Sequence, residues 1–459
     1  MVNGKEPFKL CICPQHLREI IQTHEKDKKV LKFPQNVLDQ PTFDKIPAPC
    51  FTLKELNEFY FENLGCLRLS SKIQNLQNLT YLSLFKNNLT KIPESLSKIT
   101  TLQRINIAHN RLCEMPELPK GLVDIDLSSN FITAIHHQLQ DMKNLDRLLI
   151  SSNEINDVWP EALSGNEKLT QIDLSRNELD KFPETITECP ILEWLDISRN
   201  NIRSVQPWVG ESNTLIKNLR ALYISYNQLD LESVKIISKL KNLGSLNLSG
   251  NMLETLPEEL GNLKFLQSIW LTNNGFKKFP EVLCQFRFVG CIDLCGNNIS
   301  YIEDQNDNPN LDFSKLAKSL ATFEMAGNRM ICFPDVISEF KGLYRLNLSN
   351  NNAKNLTIKL ATYFKKQFDL YGFIKEGKSA SYEDGVALFG NRFDSELEDL
   401  VESQDGRLHD ILEVVTEDPK FKDYREILEN MTIPETESED EEDLKRQIRW
   451  NAGAHENKV

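Results

Sequence analysis

Apolar residues recur along most of this chain in one fixed wording, L-x-x-L-x-L-x-x-N, whose last two leucines alternate with the period of a strand. The unit first reads Leu79, Leu82, Leu84 and Asn87. Its first position then recurs at Leu102, Leu122, Leu145, Leu169, Leu192, Leu219, Leu243, Leu266, Val289, Leu320 and Leu343. Neighbouring first positions lie between 20 residues (Leu102 to Leu122) and 31 residues (Val289 to Leu320) apart, and all of these units keep the ninth-position asparagine. A degenerate copy precedes them: Leu56, Phe59 and Phe61 fill the apolar positions, and Leu64 stands for the asparagine. Before it, Lys45-Ile46-Pro47 repeats the inter-strand phrase Lys91-Ile92-Pro93, so the array is expected to begin near residue 45 and to run to 352.

Each position has a physical reason. A short strand sends its alternate apolar side chains inward, and only stacking of neighbours buries what one unit leaves open. The asparagine follows the strand where the chain turns, and its amide can both donate to and accept from unpaired backbone groups there. The phrase I-P-x-x-L turns the chain back, at a point where no ladder hydrogen bond is asked of the proline. The expected fold is therefore an α/β leucine-rich-repeat solenoid of about thirteen repeats, a horseshoe with a parallel concave sheet.

In wording the array resembles the intracellular leucine-rich-repeat family typified by Ras-group scaffold proteins, whose I-P-x-x-L-x-x-L-x-x-L phrase it shares over residues 45–352. The resemblance implies a rigid platform that holds other proteins. It does not name the partner, because function lives in sites grafted on a fold.

The ends of the chain change character. Leu17, Ile20, Ile21 and His24 at helical spacing predict a helical cap within residues 1–44. Residues 353–433 read as a helical C-terminal cap or a small domain: Phe393, Leu397, Leu400 and Val401 form one helical face, and Asp418-Pro419 opens another helix. From Pro434 to the end the text is acidic and without core residues, which predicts a disordered tail at 434–459.

Composition adds limits. The 459 residues carry a net charge of −14, which argues against nucleic acid or an anionic membrane surface as the general partner. No run approaches the roughly 18 apolar residues of a membrane span. The N-terminal text lacks the apolar core of a secretory signal, and the cysteines are scattered, so reduced thiols and a cytoplasmic or nuclear location are expected.

The third, fifth, seventh and eighth positions of each unit point into the hollow of the horseshoe. In the middle units these hold Leu149, Trp194, Tyr223, Tyr226 and Trp270, among Asp126, Asp173, Asp196, Asp293, Glu324, Arg104, Arg147, Arg176 and Arg199. Aromatic anchors on a concave surface are expected to bind a folded protein partner; the plainer reading is that stacked rings and arginines shield one another across strands. In the tail, Lys445, Arg446, Ile448 and Trp450 fit the basic–x–[VI]–x–[FW] pattern that docks on protein phosphatase 1 by strand addition. The resemblance to Ras-group scaffolds adds to that expectation.

Other motifs carry less. Gly372 to Ser379 matches G-x-x-x-x-G-K-[ST] letter for letter, yet the following residues open no helix and too little chain remains for a nucleotide-binding sheet. Asp304 begins a run resembling a calcium loop, but Pro309 stands where glycine is required. Cys11 and Cys13 have no second pair at zinc spacing, and His136-His137 have no acidic or cysteine companion in their own unit. A non-catalytic scaffold without cofactor or metal is the resulting expectation. The alternatives are a ubiquitin-ligase substrate receptor, whose F-box-like leader is not found, and a P-loop nucleotide-binding protein built on Lys378.

Overall fold

Each repeat contributes a strand of three residues centred on its fourth position, because the leucines at positions four and six face inward while three and five cannot. The computed structural model describes residues 29–33, 43–205, 215–303, 308–368, 372, 384–393, 395–402, 411 and 415. The helix expected in residues 14–28, Cys11 and Cys13, the start of the Asp304 run, Lys378 and Ser379, the second C-terminal helix and the acidic tail lie outside the described residues.

The chain divides into two units, residues 1–245 and 246–459. In the first, Val30–Lys32, Glu58–Tyr60, Tyr81–Ser83, Arg104–Asn106, Asp124–Asp126, Arg147–Leu149, Gln171–Asp173, Trp194–Asp196 and Ala221–Tyr223 pair in that order, all parallel. In the second, Ser268–Trp270, Cys291–Asp293, Thr322–Glu324, Arg345–Asn347 and Gly385–Ala387 do the same. The register is constant, so third positions lie beside third and fifth beside fifth.

Inside, Leu145, Leu148 and Ile150 are at most 1% exposed, as are Leu169, Ile172 and Leu174. Full burial of such a side chain stabilises by about 1.5–3 kcal/mol. The return segments Glu94–Lys98, Glu184–Glu188, Glu258–Asn262, Glu281–Gln285 and Asp335–Glu339 are single 3-10 turns, each introduced by a proline. A proline there sacrifices no hydrogen bond, and its fixed φ sets up the turn.

The asparagine works as a clasp between repeats. Asn177 Nδ2 donates to Leu174 O at 3.0 Å and to Ile150 O of the preceding repeat at 3.1 Å, while Oδ1 accepts from Ile155 N at 3.0 Å. Asn110, Asn130, Asn153 and Asn200 repeat the set. Just before the clasp, the eighth position takes a left-handed conformation, with φ of 55° at Lys86 and Arg176 and 52° at Tyr226. Glycine fills it at Gly250, Gly296, Gly327 and Gly390. At Gly296 a Cβ would meet Asn273 Oδ1 at 2.1 Å, so there the glycine also gives the preceding repeat's side chain its room.

The sheets run beyond the limits of 45 and 352 that the repeat wording set. Val30–Lys32 forms a strand within residues 1–44, where a helical cap was expected, and Leu31 and Phe33 point inward onto Phe59 and Phe61. At the other end Gly385–Ala387 pairs with Arg345–Asn347, and Asn391 donates to Leu388 O and Leu348 O as a further clasp. The segment 353–433 therefore contains a degenerate repeat as well as the helices Ile358–Phe368 and Ser395–Glu402. The first of these helices buries Leu360, Tyr363, Phe364 and Phe368, and the second buries Leu397 and Val401.

Candidate functional site

Four of the five expected anchors stand on the solvent side of the first unit's sheet. Leu149 occupies the fifth position between Asp126 and Asp173 in register. Two strands further on, Trp194 lies between Gln171 and Ala221. The small Ala221 leaves room for the indole to lean toward Tyr223, and the two rings meet at 5.6 Å between centroids, tilted by 46°. Tyr226 sits in the left-handed eighth position with the Arg199 guanidinium 4.7 Å above its ring. Trp270 belongs to the second unit, in the fifth position beside Asp293. All five side chains are half-buried rather than bare.

The acidic residues among them have a second task that their spacing conceals. Asp126, Asp173 and Asp196 each accept, through Oδ1, the N–H two residues on, from Ser128, Ser175 and Ser198 at 3.0, 2.9 and 2.8 Å. Asn106, Asn247 and Asn347 make the same bond to Ala108, Ser249 and Ser349. The fifth-position side chain thus closes an Asx turn that releases the chain from the sheet. Where Tyr223 replaces it, the Ser225 N–H donates instead to Ser198 Oγ at 3.2 Å. Burial pushes the Asp196 carboxyl above the usual range and the neighbouring Asp173 adds to this, with the Ser198 bonds and Arg176 pulling the other way.

The arginines read as interleaved charges are mostly engaged. Arg147 grips Asp124 with two bonds, Nε to Oδ1 at 3.1 Å and Nη2 to Oδ2 at 2.8 Å. Arg104 covers the Tyr81 ring at 5.1 Å, Tyr81 meets Tyr60 at 5.0 Å, and Lys32 Nζ lies 4.2 Å from the Tyr60 centroid. This four-strand ladder of cation, ring, ring and cation was missed by a reading confined to the middle units. Its signal was present, since Tyr60 and Tyr81 occupy the fifth and third positions of the first two copies. Here the plainer expectation holds: rings and cations cover one another. In the second unit Glu324 and Arg345 form a buried ion pair, and burial raises the Glu324 carboxyl above its usual range.

Among the described residues the barest large apolar side chains lie off the strands, Met252 first at 63% exposed. Phe265 and Phe288 immediately precede the first positions of adjacent repeats and are 58% and 53% exposed, and Arg287 lies over the Phe288 ring. His136 and His137 do have acidic companions, supplied by adjacent repeats: Asp157 Oδ2 is 4.0 Å from His136 Nε2, and Glu117 Oε1 is 3.4 Å from His137 Nε2. No cluster of three or more metal-ligating side chains occurs among the described residues. Gly372, the first glycine of the P-loop wording, donates from N to Phe368 O at 2.7 Å and so closes the helix Ile358–Phe368. A phosphate loop follows a strand and opens a helix, which reverses that order. No disulfide joins the described cysteines, and burial pushes the thiols of Cys50, Cys189, Cys284, Cys291 and Cys332 up to about 12.

Comparison with known proteins agrees with this geometry. The family model described as "Leucine rich repeat" matches residues 143–202, and a second of the same description matches 78–99 and 242–263. Human podocan-like protein 1 is 30% identical over 199 residues, covering 41% of this chain and 38% of that protein. Mouse podocan is 31% identical over 194 residues, covering 40% of this chain and 31% of that protein. The chain thus spans about a third of the length of these curated relatives. A leucine-rich-repeat protein of Leptospira interrogans superposes on 80% of this chain and 98% of its own, with a TM-score of 0.53 and 21% identity. No helix among the described residues is long and apolar enough to cross a membrane. Three segments of the chain thus match leucine-rich-repeat models, and each of its units carries the parallel-sheet solenoid fold of leucine-rich-repeat structures.

Proposed function

We propose that this protein is a non-catalytic interaction scaffold whose first-unit sheet receives a folded protein partner. The observation that carries the reading is the Trp194–Tyr223 pair, two large rings meeting at 5.6 Å on the solvent side of a rigid sheet. Half-buried aromatics held by their neighbours lose little conformational freedom on binding, which makes them effective anchors. Trp270 offers a further anchor on the second unit. The tail residues Lys445, Arg446, Ile448 and Trp450 dock protein phosphatase 1 by strand addition, a reading supported by their spacing and by the resemblance to Ras-group scaffolds. The protein works in the cytoplasm or nucleus, a reading supported by its scattered cysteines.

The test is capture of cellular proteins by the intact chain and by Trp194→Ala/Tyr223→Ala. The paired variant loses a captured protein while its thermal unfolding is preserved. Identical capture by both overturns the sheet-face reading. Protein phosphatase 1 is retained by the full chain and lost with Ile448→Ala/Trp450→Ala; retention by neither chain removes the tail reading.

A further inference from the structure

Asp173 and Asp196 are partners in register on adjacent strands, and Asp196 is in turn the register partner of Tyr223, whose ring meets Trp194. Strands in a sheet are about 4.8 Å apart, so two carboxylates and two aromatic rings share a patch narrow enough for one side chain to touch several of them. We propose that this patch seats an arginine or lysine side chain of a basic segment on the protein partner. The inference rests on the sheet-face reading above and names the chemistry that the face selects.

Three observations lead there. The same face already shows how it holds cations, because Lys32, Arg104 and Arg199 lie over Tyr60, Tyr81 and Tyr226 at 4.2, 5.1 and 4.7 Å. A partner's cation on the Trp194–Tyr223 pair repeats a geometry the sheet builds for itself. Next, the Asp196 carboxylate is under-compensated: burial and the neighbouring Asp173 hold it above its usual range even with the Ser198 bonds and Arg176 nearby. A further cation relieves both the desolvation and the mutual repulsion of the pair. Finally, the turn does not require the charge. Asn106, Asn247 and Asn347 close the same Asx turn with a neutral amide, so an aspartate at 173 and 196 adds a negative charge without adding a structural bond. A chain of net charge −14 also draws a basic partner at long range.

Asparagine at these positions deletes charge and keeps the turn, which makes the test sharp. Fluorescein-labelled octa-arginine, with octa-citrulline as an uncharged comparator, is titrated onto the full chain at physiological salt. Binding is followed by the slowing of amide exchange within residues 171–199, which attraction of the probe to the acidic tail does not alter. The intact chain is protected by octa-arginine and not by octa-citrulline. Asp173→Asn/Asp196→Asn raises the half-saturating concentration by about tenfold, whereas Glu154→Gln/Glu178→Gln, an equal loss of charge at exposed sites, changes it by less than about twofold. Equal weakening by both pairs, or equal protection by octa-citrulline, overturns the proposal. If Trp194→Ala/Tyr223→Ala abolishes partner capture while Asp173→Asn/Asp196→Asn leaves it intact, the cation reading fails and the sheet-face reading survives.

Discussion

Replacing Asn177 by leucine and replacing Asn166 by leucine put the same change into the same region, and the structure gives the two opposite signs. Asn177 is the clasp: its loss leaves the buried Ile155 N–H without its acceptor and takes one donor each from Ile150 O and Leu174 O. Those carbonyls keep a second donor, since Asn153 also serves Ile150 O and Asn200 also serves Leu174 O. An orphaned buried N–H costs about 1–3 kcal/mol and each weakened carbonyl about 0.5–1.5, so Asn177→Leu destabilises by about 2–6 kcal/mol. Asn166 lies three residues before a first-position leucine and is 2% exposed, yet neither its Nδ2 nor its Oδ1 has a hydrogen-bond partner. The corresponding sites of other repeats hold Leu76, Ile99, Met142, Cys189, Leu263 and Phe286, all buried. Leucine at 166 removes two unsatisfied polar atoms and restores the apolar column. The gain is about 1–2 kcal/mol after some crowding of the larger branched side chain. Urea unfolding read by far-ultraviolet circular dichroism gives both values. Amide exchange of the segment from 150 to 180 shows whether the change is local, as repeat arrays need not unfold in one step. A neutral Asn177→Leu, or an Asn166→Leu that destabilises by more than about 1 kcal/mol, refutes the reasoning.

Further outcomes follow from the same geometry. The folded chain holds the Asp196 carboxyl above its ordinary range, so between the two values it binds more protons than the unfolded chain, and this group's contribution falls as pH rises through that window. Asp196→Asn therefore unfolds at a higher temperature than the intact chain at neutral pH, with the difference fading well below the carboxylate range; a lower melting temperature at neutral pH contradicts this. Arg345→Met leaves Glu324 buried without its partner and lowers stability by about 3–5 kcal/mol in urea, while an unchanged midpoint contradicts the ion pair. Lys86→Gly relieves a left-handed non-glycine position and raises stability by about 1 kcal/mol, checked by the same titration. Ellman's reagent modifies Cys113, the exposed thiol among the described cysteines, and Cys113→Ser lowers the fast phase by one thiol while the buried thiols react only on unfolding; a fast phase left unchanged by the substitution argues against this assignment.

Where the wording L-x-x-L-x-L-x-x-N is intact, one line of sequence specifies strand, inward face and clasp together, and the strands from Tyr81 to Asn347 follow it. The strand Gly385–Ala387 escaped because Glu383 stands in the first position; only Val386, Leu388 and Asn391 keep the pattern, too little to separate from chance. Val30–Lys32 has only the alternation of Leu31 and Phe33, and its place is set by the Phe59 and Phe61 rings it covers. The site was legible as a set of positions, since Leu149, Trp194, Tyr223 and Tyr226 do stand on one face. How each side chain is engaged was not. That depends on the neighbour one repeat away, as when Ala221 makes room beside Trp194 or Asp124 claims Arg147. The turn-closing role of Asp126, Asp173 and Asp196 shares the sequence position of a binding role, and only hydrogen-bond geometry separates the two.

The central claim is that the solvent side of the first-unit sheet is where a partner protein sits, and it is tested most directly by placing a benzophenone amino acid at Leu149 and, in a second chain, at Lys98 on a return segment. After irradiation in cells, the account predicts a discrete higher-mass adduct from position 149 that is lost on adding Trp194→Ala/Tyr223→Ala, and none from position 98. Adducts from position 98 alone, or an adduct at 149 indifferent to the aromatic pair, would contradict it.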